Sequence, residues 1–118
     1  MASTGKLPFA NVCLAYNVIS DAAMESISPV LHEHCPGLRS VDVGNNRIGD
    51  AGFESLAAAL PSSIRSLSMN DNQCGDTGMT AICSAVERCA ELEKLDVSNN
   101  RIGDAAFQRL GAVLPVTM

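Results

Sequence analysis

The sequence predicts an α/β fold in which about four strand–helix units stack into a right-handed solenoid, with a parallel sheet on its concave face. The main observation is a near copy within the chain: residues 41–60 read VDVGNNRIGDAGFESLAAAL, and residues 95–114 read LDVSNNRIGDAAFQRLGAVL. Two weaker copies complete the set, and successive units begin 29, 26 and 28 residues apart. Self-similarity at such a period is typical of repeat architectures. The units begin near Phe9, Leu38, Ile64 and Leu92.

The opening segment of each unit has the pattern of a strand. Val41 and Val43 alternate with Ser40 and Asp42, and a period of two residues places one pair on each face. An asparagine then recurs at a fixed place, where we expect its amide to bond the carbonyl and N–H groups of the turn that leaves the strand. These asparagines are Asn17, Asn46, Asn72 and Asn100.

An aspartate comes directly before each helical pattern. We expect its carboxylate to accept hydrogen bonds from the free N–H groups of the helix that follows it, near the positive end of the helix dipole. A row of four carboxylates also suggests a string of metal sites, but capping explains each residue and stacking holds them apart. The aspartates are Asp21, Asp50, Asp76 and Asp104.

Each helical pattern carries an apolar stripe at intervals of three and four residues. The stripes of units two to four are Phe53, Leu56 and Leu60; Met79, Ile82 and Val86; and Phe107, Leu110 and Leu114. Unit one differs, because Pro29 falls inside its stripe and an interior proline costs a helix about 3 kcal/mol. Ser28 and Pro29 also resemble a fresh N-cap and first turn. We therefore predict a kink, or two short helices, between Ala22 and His34.

The order of the elements determines how the units are arranged. A strand followed by a helix, repeated in one direction, gives parallel strands joined by right-handed crossovers. No unit buries its own apolar side, so we expect one domain, residues 1–118, in which the units stack as an arc. The strands near Phe9 and Leu92 would each keep an unpaired edge, and exposed edges recruit other chains. We therefore expect that the chain is a fragment, or that it stacks end to end or joins a larger complex.

The unit at residues 38–60, LRSVDVGNNRIGDAGFESLAAAL, resembles the ribonuclease-inhibitor-like class of leucine-rich repeats. The resemblance covers residues 9–114, although Cys74 replaces the usual isoleucine in unit three and Phe9 replaces leucine in unit one. It implies protein binding through the concave sheet and the adjoining loops. Members of the class include inhibitors of secreted ribonucleases, the activator of the Ran GTPase, tropomodulin-type actin caps and innate immune receptors.

Outward residues of the strands and turns are the candidate partner-binding residues, because the motif residues build the scaffold. Tyr16, Arg39 and Arg65 are the candidate anchors, since tyrosine and arginine are enriched among interface hot spots. The alternative is a solvated face whose side chains pair with one another. The candidates are Tyr16, Arg39, Asp42, Arg65, Ser68, Asp71, Lys94 and Asp96.

Composition and motifs give no sign of a metal, a cofactor or catalysis. The five cysteines form no Cys-x-x-Cys pair, and we expect reduced, mostly buried thiols. His32, His34 and Cys35 lack a second ligand cluster for zinc, and Cys35 instead matches a junction position between units. Cys13 on the open side is a conceivable reactive thiol, but nothing basic beside it in sequence activates it. No Gly-rich phosphate loop is present, so we predict no enzyme and no cofactor.

The bulk properties limit the partners and the location. A net charge of −5 argues against nucleic acid, and no apolar run approaches the length of a membrane span. The amino terminus lacks the apolar region of a secretory signal, so we expect a cytoplasmic protein. The resulting hypothesis is a non-enzymatic protein-binding module. The alternatives are a small structural subunit of a cytoskeletal or ciliary assembly, held through its uncapped ends, and a regulator of a GTPase.

Overall fold

A computed structural model describes residues 10–114, which form four strand–helix units in chain order. The strands are β1 (Asn11–Cys13), β2 (Ser40–Asp42), β3 (Ser66–Ser68) and β4 (Lys94–Asp96). The helices are α1 (Asp21–His34), α2 (Asp50–Ala59), α3 (Asp76–Glu87) and α4 (Asp104–Val113). The strands pair in parallel in the order β1-β2-β3-β4, which confirms the predicted architecture. The predicted start at Phe9 lies outside the described residues.

A continuous row of apolar side chains fills the space between the sheet and the helices. Val41 and Leu67 enter it from the strands, and Phe53 and Met79 enter it from the helices, and all four are buried. Such a row needs stacking, because each unit supplies only one layer of side chains. The array measures 49 × 32 × 19 Å along its principal axes.

The helix stripes follow the prediction in α2 and α3 but only partly in α4. The six stripe residues of units two and three are all buried, whereas Phe107 in α4 is 47% exposed. Met24, at the same place in α1, is fully buried, and within residues 10–114 unit one contacts only the unit that follows it. Burial at this position therefore comes from the following unit. Within residues 10–114, no helix has the length and apolar character needed to cross a membrane.

The recurring asparagines join each turn to the preceding one, as predicted from their fixed place. Oδ1 of Asn46 accepts hydrogen bonds from the backbone N–H groups of Asn17 and Ile19, at 3.2 and 3.0 Å. Its Nδ2 group donates to the carbonyl oxygens of Leu14 and Val43, at 3.0 and 2.9 Å. The next two asparagines of the row repeat this cross-unit pattern, so the turns form one hydrogen-bonded stack.

The prediction that each aspartate caps the helix it begins is wrong. The aspartates instead cap the helix of the next unit. Oδ1 of Asp21 accepts the backbone N–H groups of Gly49 and Gly52, at 2.7 and 2.9 Å, at the start of α2. Asp50 does the same for α3. Each aspartate is the first residue of its own helix, one position too late to be its N-cap. Helix α1 has no earlier aspartate, and Ser20 caps it instead.

Helix α1 is continuous from end to end, so of the two predicted alternatives the two short helices are wrong, whereas the kink stays a prediction. Pro29 lies on the exposed side, where water can satisfy the carbonyl that loses its N–H partner. Ser28 is not a fresh N-cap, since it is buried and its hydroxyl donates to the carbonyl oxygen of Met24 at 2.8 Å. Met24 and Leu31, on either side of the proline, pack into the same core and hold both halves in one helix.

Candidate protein-binding surface

The face of the sheet turned away from the helices is open along all four strands. Side chains alternate along each strand, so Val41 points into the core while its neighbours Ser40 and Asp42 point outward. The strand register aligns the outward residues in two rows, which we call the open face. The rows are Asn11, Ser40, Ser66 and Lys94, and Cys13, Asp42, Ser68 and Asp96.

The open face contains half of the candidate residues named from the sequence, and two more lie at its border. Arg39 and Arg65 come directly before β2 and β3, and the carbonyl oxygen of Arg39 accepts the N–H of Arg65 at 2.7 Å. Nη2 of Arg65 donates to Oε1 of Glu91 at 3.0 Å. Within the described residues, the Arg39 guanidinium has no such partner. The candidates on the open face are Asp42, Ser68, Lys94 and Asp96.

Asp96 carries a fixed negative charge at one end of the open face. Its Oδ1 accepts the hydroxyl of Ser98 at 2.6 Å and the backbone N–H of Ser98 at 3.0 Å. These two hydrogen bonds hold the pKa of the Asp96 carboxyl below its usual value. Partial burial opposes the shift, and the nearby Lys94 ammonium adds to it. The carboxylate therefore stays ionised under ordinary conditions.

The turns that leave the strands form a second surface beside the open face, and it contains the other two candidates, Tyr16 and Asp71. Backbone hydrogen bonds link the turns, for example from the Tyr16 N–H to the Gly44 carbonyl at 3.0 Å. We call this surface the turn ridge: residues 16–18, 45–47, 71–73 and 99–101. One residue in each turn has a left-handed backbone. Their φ angles are 60° for Tyr16, 56° for Asn45, 56° for Asp71 and 55° for Asn99.

Sequence reasoning missed one outward position of the turn ridge. The candidate residues named from the sequence all lie before the recurring asparagine of their unit, although the residue after that asparagine is also exposed. Comparing this position across the four units would have found it, because three units carry a polar side chain and one does not. The residues are Val18, Arg47, Gln73 and Arg101.

The thiols divide into one exposed cysteine and four buried ones, and none forms a disulfide. Burial, and then the carboxylates of Asp50 and Asp76, raise the pKa of Cys74 to about 12. Burial also raises the pKa of Cys83 and of Cys89. Cys13 is the exposed thiol, as its place on the open face requires. Over residues 10–114, no cluster of three or more His, Cys, Asp or Glu side chains could hold a metal ion.

A family model described as "Leucine Rich repeat" matches three segments of the chain, residues 34–57, 61–83 and 88–108. The segments together cover more than half of the sequence, and each spans the strand and at least half of the helix of one unit. The chain belongs to the leucine-rich repeat family. No curated protein matches it.

Two solved structures show the same fold at low sequence identity. The first, described as "Leiomodin-1 Actin-Binding Site 2 (ABS2)", has a TM-score of 0.77 and 18% identity over 92% of this chain. This chain spans only 65% of that structure. The second is the tropomodulin C-terminal domain of Caenorhabditis elegans, with a TM-score of 0.53 and 15% identity. That match covers 91% of this chain and 83% of the other.

Proposed function

We propose that this chain is a non-enzymatic module of the cytoplasm that binds another protein through the open face and the turn ridge. The observation that supports the proposal best is the open face itself. Its two rows of mostly polar side chains run in register across all four strands, and every member of the rows is exposed or half-exposed. These side chains contribute nothing to the core, while the folded strands hold them at fixed spacing.

The charges at the border of the open face favour a specific contact over a merely solvated surface. Arg65 is already paired with Glu91, but Arg39 has no partner among the described residues. Lys94 and Asp96 add charges of both signs at the other end of the face. A mixed pattern of this kind selects a partner by charge complementarity more than it adds raw affinity.

Reversing the two border arginines tests the proposal. A photo-reactive p-benzoylphenylalanine at position 68 isolates the partner from extracts of the native cells, and calorimetry then measures its dissociation constant. The double variant Arg39→Glu, Arg65→Glu should weaken binding about tenfold or more. The control is Arg109→Glu, which changes an exposed arginine on α4 whose own contact with Glu87 is a loose 3.9 Å. Unchanged binding by the double variant would contradict the proposal.

A second candidate function is a subunit of a cytoskeletal assembly that is held through its end unit. Phe107 is half-exposed, whereas Phe53 and Met79 at the same place are fully buried. The Asp104 carboxylate has no hydrogen bond within residues 10–114, while the other three aspartates each accept one or two from the next unit. The fold likeness to a leiomodin-1 structure described as an actin-binding site makes actin the first partner to test.

Sedimentation separates the two candidates. If the end unit holds the chain, Phe107→Arg should abolish co-sedimentation with filamentous actin, and the arginine reversals on the open face should leave it unchanged. The matched control is Val30→Arg, because Val30 on α1 is exposed to nearly the same extent, 49% against 47%. Failure of the unaltered chain to pellet with actin would remove actin as the partner.

A further inference from the structure

Two residues of the first turn break the polar pattern of the turn ridge. Tyr16 is 80% exposed and Val18 is 69% exposed, more than any other large apolar residue among those described. The residues in register with Tyr16 are Asn45, Asp71 and Asn99, and those in register with Val18 are Arg47, Gln73 and Arg101. Six polar side chains therefore stand at positions where unit one presents a phenol ring and an isopropyl group.

The backbone at Tyr16 makes this exception more informative. Its φ of 60° lies in the left-handed region, which asparagine and aspartate tolerate and which a bulky side chain enters at a cost. The exposed ring gains little from packing within the chain to offset that cost. Strained, exposed residues of this kind are concentrated at binding and catalytic sites.

A free positive charge lies beside the apolar pair. The Arg47 N–H donates to the Ile19 carbonyl at 2.9 Å, which places Arg47 next to Val18 in the adjoining turn. The guanidinium has no hydrogen bond or ion pair within the described residues. The acidic side chain nearest to Arg47 in sequence is Asp50, and its carboxylate already accepts two N–H groups at the start of α3. The Arg47 guanidinium, which has no partner among the described residues, thus lies beside the exposed side chains of Tyr16 and Val18. The chain as a whole has a net charge of −5.

We propose that Tyr16, Val18 and Arg47 form the anchor of the partner interface, and that the partner protein presents an apolar pocket with a carboxylate at its rim. The inference rests on the proposed function and adds the chemistry of the partner to it. The tyrosine and valine side chains would fill the pocket, and the arginine would pair with the carboxylate. Tyrosine and arginine, together with tryptophan, are enriched among the residues that dominate binding energy at interfaces.

The chain itself supplies the replacement residues for a test. The double variant Tyr16→Asn, Val18→Arg installs the side chains that units two and four use at the same positions, so the fold should be retained or slightly stabilised. The partner is the protein isolated through the photo-reactive residue at position 68, which lies outside the anchor. We expect its dissociation constant to rise about tenfold or more, while the urea midpoint of the variant does not fall.

Two further variants complete the experiment. Arg47→Ala should also weaken binding, and its effect should vanish when the rim carboxylate of the partner is changed to an amide. Val30→Gln removes another exposed valine, on α1, and should bind like the unaltered chain. Binding by Tyr16→Asn, Val18→Arg within about twofold of normal would overturn the anchor. If the Arg39 and Arg65 reversals still abolish binding in that case, the proposed function stands without it. If no protein cross-links at position 68, both fail.

Discussion

Oδ1 of Asp50 accepts the backbone N–H of Gly78 at 2.9 Å, although the two residues belong to neighbouring repeats. The same oxygen accepts the N–H of Gly75 at 2.7 Å, so one carboxylate satisfies two of the free donors of α3. A charge-assisted contact at a helix start is also favoured by the helix dipole. Each repeat therefore completes the helix of the next one, and the open face is held by contacts that no single repeat makes.

Removing the bridging carboxylate should destabilise the whole array. We expect Asp50→Ala to lower the free energy of unfolding by about 2 kcal/mol, because two helix N–H groups lose a charged acceptor. Urea unfolding followed by circular dichroism measures the change. The control is Asp104→Ala, which should change stability by less than about 0.5 kcal/mol because its carboxylate has no partner in residues 10–114. Equal losses in the two variants would contradict capping across repeats.

The close approach of Asp50 to α3 requires a glycine at position 78. A methyl group there would lie 2.8 Å from Oδ1 of Asp50 and 2.9 Å from Sγ of Cys74. We expect Gly78→Ala to cost about 1–3 kcal/mol of unfolding free energy. Gly111→Ala, in α4 with no atom within 4 Å of the added methyl, should instead stabilise the chain by about 0.5–1 kcal/mol. Thermal unfolding of both variants checks the opposite signs.

Asn72 should be among the most sensitive polar residues of the stack. Its Oδ1 accepts the N–H of Ile48 at 3.0 Å, and its Nδ2 donates to the Val43 carbonyl at 2.9 Å. Asn72→Ala leaves buried backbone groups without partners. We therefore expect the free energy of unfolding, measured by chemical denaturation, to fall by about 3 kcal/mol. Asn17→Ala should lower the free energy of unfolding by only about 1 kcal/mol or less, because the exposed amide of Asn17 bonds only carbonyl groups of its own turn. A larger loss at Asn17 would argue against the cross-repeat role.

The thiols predict both a labelling pattern and a pH dependence. Only exposed Cys13 should react quickly with a thiol reagent in the folded chain at pH 8.

Folded Cys74 keeps its proton up to about pH 12, while the unfolded thiol releases it near 9.0, so stability should fall as the pH rises from about 9 toward 12. Cys74→Ile installs the residue found at the same place in the other three repeats and should reduce this alkaline loss. An equally steep loss in that variant would exclude Cys74 as its source.

The repetition of the sequence was enough to predict the fold, because strand period, helix stripe and turn residue recur together. The direction of the aspartate contact was not predictable from one unit, since a residue at a helix start looks like the cap of its own helix. Only the stacking distance between repeats shows that the carboxylate reaches the next one. The continuity of α1 through Pro29 likewise depends on the core on both sides, which no local pattern contains.

The binding surface was predictable in part. Strand alternation placed Asp42, Ser68, Lys94 and Asp96 on the open face, although their role in binding remains a prediction. The contrast between Val18 and Arg47 can be found by comparing the four units in sequence, but the contact between their turns needed the structure, because the two residues are neighbours only in the stack. The left-handed backbone at Tyr16 also follows from the position of the turn and not from the tyrosine itself.

Covalent side-chain footprinting by mass spectrometry, with and without the isolated partner, tests the proposed interface most directly. We expect the partner to reduce labelling at Tyr16 and Val18 and at the side chains of the open face. Labelling of Val30 on α1 and of Phe107 on α4 should stay unchanged. Protection confined to the helices, with Tyr16 and the open face labelled as fully as in the free chain, would contradict binding through this surface.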